Sequence, residues 1–306
     1  MELIFIACEI CGEDDWEIRF ASTMLSENGL NPDVFRCTSS YYGSHPQIVQ
    51  CNHCGHVYTN PRWSEDEILE VYTTVQDDIY EEEREGRVLT FERHLDHLEK
   101  LVGAGNGRRL LDVGAYIGVF VEVATKAGWD AQGIEPSSWA VQVANRQGIN
   151  VKQGTLEDSS FQNSHFDVIT MWDVIEHLAQ PKSDTAKAFD LLKPGGHLVI
   201  HTMDIDSQIA RLMGKRWPWL MDMHLHYFSK ESLGRMLKDL GYDLIWSGTQ
   251  GRYLRVGYLA GRLGGMSKSI GRLAHRASEI TRLNTRPIPV NFGDLFTVYA
   301  RKPIQG

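Results

Sequence analysis

From Arg108 to Val113 the chain carries an apolar run short enough for one buried strand, Gly114 and Gly118 open a tight turn, and Val119 to Ala127 has the apolar spacing of a helix packed on a sheet. A second strand ends at Glu135, and further apolar runs follow at Phe166 to Trp172 and after Leu191. This alternation predicts an open parallel α/β sheet in the middle of the chain. Upstream, Trp63 to Leu101 alternates apolar positions with acids, and Phe91, Leu95, Leu98 and Leu101 form a helical stripe, so residues 63–103 read as a helical connector laid on the core. Downstream, Phe228-Ser229-Lys-Glu-Ser232 is a helix start with Ser229 as N-cap, and Leu295 to Arg301 reads as the final strand.

Between those last two elements, Leu259, Leu263, Met266, Ile270, Leu273, Ala277 and Ile280 recur at alternating spacings of four and three, with Arg262, Lys268, Arg272, Arg276 and Arg282 off the stripe. That is a basic amphipathic helix pattern within residues 252–287. The favoured expectation is a helix covering the sheet with its arginines wet. Peripheral contact with an anionic membrane is the alternative. Gly261, Gly264, Gly265 and Gly271 lower the helix propensity for either.

Composition narrows the classes. The 306 residues are 42% apolar and 23% charged, enough for one large core and a small accessory unit. A net charge of −9 argues against a general nucleic-acid binder, which needs a basic surface for phosphates. The charge is polarised: residues 1–100 hold 21 acids against 7 Lys and Arg, and residues 252–306 hold 2 acids against 10. No stretch reaches membrane-span length, and the apolar run Leu3 to Ala7 follows Glu2 rather than a basic region. A cytoplasmic location is expected.

Four of the five cysteines form two short pairs, Cys8-Glu-Ile-Cys11-Gly12 and Cys51-Asn-His-Cys54-Gly55. Two residues between thiolates let both sulfurs reach one ion, and the following glycine permits the turn. Four sulfurs close a tetrahedron, so the expected zinc site is structural, in a ribbon-like unit over residues 1–62. Cys37 is left over, in a loop rich in Ser and Tyr, and His53 and His56 are expected to be bystanders.

A glycine turn followed seventeen residues after Gly118 by an acid at the end of the next strand fits a nucleoside site, because a carboxylate there can accept the hydroxyls of a ribose lying over the first turn. Further pieces follow in order: Val151-Lys-Gln-Gly-Thr-Leu156, then Phe166-Asp-Val-Ile-Thr-Met-Trp-Asp-Val-Ile-Glu-His-Leu178, then Leu191-Leu-Lys-Pro-Gly-Gly-His-Leu-Val-Ile200. From about Arg108 to about Leu244 the chain thus resembles the class I S-adenosylmethionine-dependent methyltransferases. The resemblance implies a Rossmann-like seven-stranded sheet with its last strand antiparallel, in a domain spanning residues 104–306, and S-adenosylmethionine as cofactor. It further implies that Asp112 and the backbone at Gly114 hold the methionine end and Glu135 the ribose. Thr155, Leu156 and Glu157 would border the adenine, and Trp172 and Asp173 would lie near the sulfonium. Gly118 completes the turn. Tyr116 stands where the family usually has a middle glycine, and Thr155 where it often has an acid. The two-knuckle unit joined to this core is loosely similar to bacterial sugar C-methyltransferases.

In an open α/β sheet the loops at the carboxyl ends of the strands choose the ligand. Residues 204–228, with Trp217-Pro-Trp219, Met221, Met223 and His224-Leu-His226-Tyr-Phe228, therefore read as an acceptor lid, although Trp217 and Trp219 taken singly read as a hydrophobic plug. The function this predicts is in-line methyl transfer to a small-molecule acceptor, such as a sugar nucleotide or lipid-linked glycan. An oxygen or carbon acceptor must lose a proton, and a neutral imidazole suits that task. His226 and His177 rank nearly equal as the base, with His224 third. Two rival readings are a nicotinamide (NAD)-dependent oxidoreductase, which shares the turn and acid, and a non-catalytic zinc-stabilised binding protein.

Overall fold

The computed structural model describes residues 3–24, 43–77, 80, 83–157, 160–260, 272–273, 276, 278, 280–281 and 283–304. The chain opens with strands β1 (Trp16–Phe20), β2 (Ile48–Cys51) and β3 (Val57–Thr59), then helices α1 (Glu65–Thr73) and α2 (Arg84–Val102). The central unit follows as β4 (Arg109–Val113), α3 (Val119–Lys126), β5 (Asp130–Glu135), α4 (Ser138–Arg146), β6 (Val151–Gln153), β7 (Phe166–Trp172), α5 (Pro181–Leu191) and β8 (Leu192–Met203). Beyond it come α6 (Gln208–Met213), β9 (His226–Tyr227), α7 (Lys230–Asp239), β10 (Asp243–Thr249), β11 (Arg252–Arg255), β12 (Pro287–Val290) and β13 (Leu295–Arg301).

Seven strands form one sheet in the order β10-β13-β8-β7-β4-β5-β6. Strands β4 to β8 run parallel, and β13 runs antiparallel to both β8 and β10, as expected for the last strand. The order reverses at β4, so the crevice at its carboxyl end is where this topology seats a ligand. The apolar alternation sorts the two faces. Leu110, Val168 and Val199 meet α2 and α3 through Leu98 and Phe120, whereas Leu111, Ile169 and Ile200 meet α5 and α7 through Leu191, Leu233 and Met236. Helix α7 begins with the Ser229 cap, and Ser232 returns its hydroxyl to the Ser229 backbone, so the segment before it is held by a capping box. Leu-Lys-Pro-Gly-Gly falls where α5 stops at Leu191 and β8 starts, with Gly195 at φ +80°.

A second sheet, β1-β2-β3-β9, holds three strands from the N-terminal segment and one from the insert at 204–228. Val57 pairs with Tyr227 and Tyr58 with His226. Cys8, Val49, Cys51 and Tyr58 are buried in the same apolar cluster as Leu111 and Ile200, so the cysteine unit is continuous with the main core.

Cys37 and much of the basic amphipathic pattern, including Leu263, Met266, Ile270 and Ala277, lie outside the described residues. Three positions of that stripe are described: Leu259 is half-buried, whereas Leu273 is 73% exposed and Ile280 is 82% exposed. Leu273 and Ile280 therefore do not cover the sheet, and the rest of the expected covering face, apart from Leu259, lies outside the described residues. The ladder β11–β12 flanks this segment and packs on α2, where the Tyr253 amide donates to the Thr90 hydroxyl at 2.7 Å.

Candidate active site

At the carboxyl end of β4 the chain turns through Gly114 (φ +64°), Tyr116 (φ +51°) and Gly118 (φ +77°). A Cβ at Gly114 would lie 2.6 Å from a Val174 methyl, so the turn nests against the loop that follows β7. Glu135 ends β5 fully buried, and its two carboxylate oxygens accept from the amides of Tyr116 at 3.0 Å and Ser137 at 2.8 Å. Burial pushes this carboxyl up to about 7 against the pull of those two amides. Each oxygen keeps a second lone pair, so a ribose hydroxyl pair remains within the acid's bonding capacity. Asp112 accepts the Thr170 hydroxyl at 2.6 Å, and burial pushes it up to about 8. Beside the turn, Leu156 is buried in the core, Thr155 is half-buried and Glu157 is exposed. These groups fit an adenosyl cofactor: a glycine turn at the crevice, an acid on the neighbouring strand, and a second acid beneath the turn.

Tyr116 occupies a left-handed conformation that favours glycine. A side chain there is strained by roughly 1–2 kcal/mol, and its packing offsets the strain. The ring is buried, meets Tyr80 edge-on at 4.5 Å and lies 5.9 Å from Trp139, while the Arg87 guanidinium stacks over Tyr80 at 3.5 Å. Tyr80 therefore roofs the turn, whereas Tyr72 packs with Met221 and Met223. Because Gly relieves the strain and Ala keeps it, Tyr116→Gly is expected to be the milder of the two truncations, by about 1 kcal/mol in denaturant unfolding. Equal or greater stability of Tyr116→Ala would overturn this account.

At the end of β7, Trp172 lies under α2 against Phe120 (5.1 Å) and His94 (4.9 Å), forming a wall. Asp173 (φ +56°) is half-buried and accepts from Arg252 at 3.1 Å. Burial opposes its charge, but Arg252 and His201 outweigh that and hold the carboxyl below its ordinary value.

Three residues converge just beyond. One ring nitrogen each from His177 and His224 and a carboxylate oxygen of Glu176 lie within 4.8 Å of one another. His177 Nδ1 donates to the Met223 carbonyl at 2.9 Å, and His224 Nδ1 donates to the Trp219 carbonyl at 2.8 Å, which leaves the lone pair of each ring on Nε2. Burial lowers both imidazoles, His224 to about 3, and both stay neutral near pH 7. Glu176 accepts the Thr202 hydroxyl at 2.8 Å, and burial pushes it up to about 8.

His226 stands apart from this cluster. Arg62 can only donate, and its guanidinium meets His226 Nε2 at 3.2 Å, so the His226 proton sits on Nδ1 and is given to His56 Nε2 at 3.0 Å. Burial, His56 and Arg62 hold His226 well below its ordinary range. With its only lone pair taken by a cation, His226 locks β9 to the cysteine sheet rather than facing the crevice.

The insert is mostly a plug. Trp217 is buried with Ile48, Val57 and Leu220, and both Trp217 and Trp219 donate their ring N–H to Asp294. Glu176, Thr170 and Arg252 escaped sequence reasoning. Only Glu176 carried a signal there, its adjacency to His177.

The four cysteines come together. Cys8 and Cys54 sulfurs are 3.6 Å apart, as are Cys11 and Cys51, and all four lie within 4.8 Å. Sulfurs about 2.3 Å from one tetrahedral ion stand roughly 3.8 Å apart, so the set fits zinc. Gly12 (φ +82°) and Gly55 (φ +74°) donate to the Cys8 and Cys51 carbonyls and close the two knuckles. His53 is exposed and His56 is bound to His226, so neither joins them.

Comparison with known proteins agrees with this geometry. A family model described as a methyltransferase domain matches residues 80–246, more than half of the chain. The ubiquinone biosynthesis O-methyltransferase of Alkalilimnicola ehrlichii is 32% identical over 117 residues, covering 36% of this chain and 47% of that protein. Its counterpart in Nitrosospira multiformis is 27% identical over 152 residues, covering 45% of this chain and 64% of that protein. The chain thus spans about half the length of the curated relatives it matches. In fold, a SAM-dependent methyltransferase of Archaeoglobus fulgidus superposes with a TM-score of 0.51 at 16% identity, covering 74% of this chain and 100% of that one. A glycine turn over a buried acid, in a sheet of this order and with this family match, identifies the chain as a class I S-adenosylmethionine-dependent methyltransferase.

Proposed function

We propose that this protein transfers the methyl group of S-adenosylmethionine to a hydroxyl of a small-molecule acceptor. The observation that carries the reading is the meeting of two imidazoles and the Glu176 carboxyl beside the loop that nests on the cofactor turn. When bound, the cofactor supplies an activated methyl on a sulfonium. The chain's part is to align the acceptor and exclude water, and to take the proton that the hydroxyl loses. Glu135 and the turn at Gly114 would hold the nucleoside, and Asp112 would serve its methionine end. Glu176, His177 and His224 would activate the acceptor. The names of the relatives support transfer to oxygen. The sugar nucleotide and lipid-linked glycan expected from the sequence both offer such a hydroxyl.

His177→Ala and His224→Ala are each expected to lower turnover by about 100-fold or more, the usual contribution of a positioned proton acceptor, while S-adenosylhomocysteine affinity holds. His226→Ala should instead lower thermal stability. The assay feeds methyl-labelled cofactor and a metabolite extract from cells lacking the protein, then reads labelled product by mass spectrometry. Full turnover in both variants would reject the cluster. Tight cofactor binding with no labelled product from the wild type would favour the non-catalytic reading.

No helix among the described residues is long and apolar enough to cross a membrane. The three-part division at residues 62 and 103 belongs to this proposal, with β9 tying the cysteine unit to the acceptor side.

A further inference from the structure

We propose that Glu176, His177 and His224 bind a divalent first-row transition-metal ion, distinct from the four-cysteine zinc, which activates the acceptor hydroxyl. The activation rests on the methyl-transfer reading, whereas the binding stands without it.

The donor atoms already face one another within 4.8 Å. Nitrogen and oxygen ligands about 2.0–2.2 Å from one ion stand roughly 3 to 4 Å apart, so only a small side-chain adjustment closes the set. What distinguishes the cluster from a chance meeting of polar groups is how its members are held. Both imidazoles give their Nδ1 proton to a backbone carbonyl, of Met223 and of Trp219, and Glu176 takes a hydroxyl proton from Thr202. That is the outer shell metal ligands need, since it fixes the tautomer and aims Nε2. A buried base needs one lone pair. Here two imidazoles meet a carboxyl group, one ring nitrogen of each lying within 4.8 Å of the other and of a Glu176 oxygen, and Glu176 and His224 are almost fully buried. A cation between them pairs both lone pairs and the buried acid at once. Two imidazoles and one carboxylate select Mn, Fe, Co or Zn over Mg and Ca, which prefer oxygen sets. Three protein ligands leave positions open for an acceptor oxygen.

With the ion bound, both imidazoles would serve as its ligands in place of accepting the proton themselves, and the acceptor oxygen would take an open position on the ion. The ion would make the bound hydroxyl more acidic, so that its proton leaves to solvent, the acceptor oxygen would bond to the methyl carbon, and the carbon–sulfur bond would break with its electron pair left on sulfur. The sulfonium becomes a thioether, so charge and atoms balance.

The test is a Co(II) titration of the zinc-loaded full-length protein, without methyl donor or acceptor. The expected result is one equivalent of Co(II) with weak visible bands and no intense thiolate charge-transfer band, zinc remaining on the cysteines. Glu176→Gln, close in shape to the native residue, and His224→Ala should each weaken Co(II) binding by about tenfold to 100-fold. Both should keep their zinc content and S-adenosylhomocysteine affinity, which also shows that they fold. Absence of Co(II) uptake beyond the cysteine site, or uptake that neither variant weakens, overturns the proposal. Calorimetry with S-adenosylhomocysteine runs in parallel. Donor binding without Co(II) binding rejects the metal alone, and Co(II) binding without donor binding rejects the methyl-transfer reading alone.

Discussion

Stripping zinc with a chelator, or replacing Cys51 with serine, is expected to abolish methyl transfer while S-adenosylhomocysteine affinity shifts by less than about threefold, well under 1 kcal/mol. The four sulfurs hold together strands that are short and irregular, and structural zinc in small units contributes on the order of 10 kcal/mol or more to folding. Without it, β2 and β3 lose their anchor. The consequence reaches the crevice through β9, which pairs with β3 on one side and leads into α7 on the other. Three further contacts cross the same seam. The Thr59 hydroxyl donates to the His224 carbonyl at 2.9 Å, the Thr59 amide to the Leu225 carbonyl at 2.9 Å, and Arg62 to the Ala179 carbonyl at 2.8 Å. The backbone of His224 is therefore set by the cysteine sheet. Hydrogen exchange should show residues 48–59 and 204–228 opening together on zinc removal, while β4, β5 and α3 stay protected. Unchanged exchange in 204–228 would mean that the two elements share a sheet without sharing stability.

The seven-stranded core was legible because each buried strand carries its own apolar run and each helix its own stripe, so local pattern and global fold agree. The turn at Gly114, the acid at Glu135, the Ser229 cap and the two cysteine pairs were legible for the same reason: their spacing is their geometry. The histidines were not. His177, His224 and His226 look alike along the chain, and what separates them is a partner far away. Arg62 and His56 reach His226 across more than 160 residues and take its lone pair, whereas His177 and His224 find carbonyls that leave theirs free. Hence the first-ranked His226 and the third-ranked His224 exchange places in the proposed site. Tyr116 shows the same limit in the backbone. Its positive φ depends on Tyr80 and Trp139 closing over the ring, which no local signal announces. The insert at 204–228 reads as a pocket lining by composition, yet most of its apolar side chains are consumed in packing against β2 and β3.

Glu135→Ala is expected to weaken S-adenosylhomocysteine binding by about 100-fold or more, since hydrogen bonds to a charged group contribute roughly 1.5–3 kcal/mol each and a ribose offers two. The same substitution strips the acceptor from the Tyr116 and Ser137 amides. Two buried N–H groups left unpaired destabilise the fold by about 1–3 kcal/mol apiece, so binding and stability fall together. Glu135→Gln separates the two effects. It keeps the volume and one carbonyl oxygen, but its NH2 group faces an amide that needs an acceptor, so it should be the more stable variant and still bind weakly. The native acid carries a pH signature that glutamine lacks. Its folded pKa, raised by burial to about 7, lies above the ordinary 4.5, so its contribution to stability is complete below about pH 4.5 and is lost as the pH rises toward 7. Cofactor-free wild type should therefore lose more stability than Glu135→Gln between pH 5 and 8, read as the difference in melting temperature at each pH. Equal pH profiles for the two would place Glu135 in contact with solvent in the free protein, and unchanged donor affinity in Glu135→Ala would remove it from the nucleoside site.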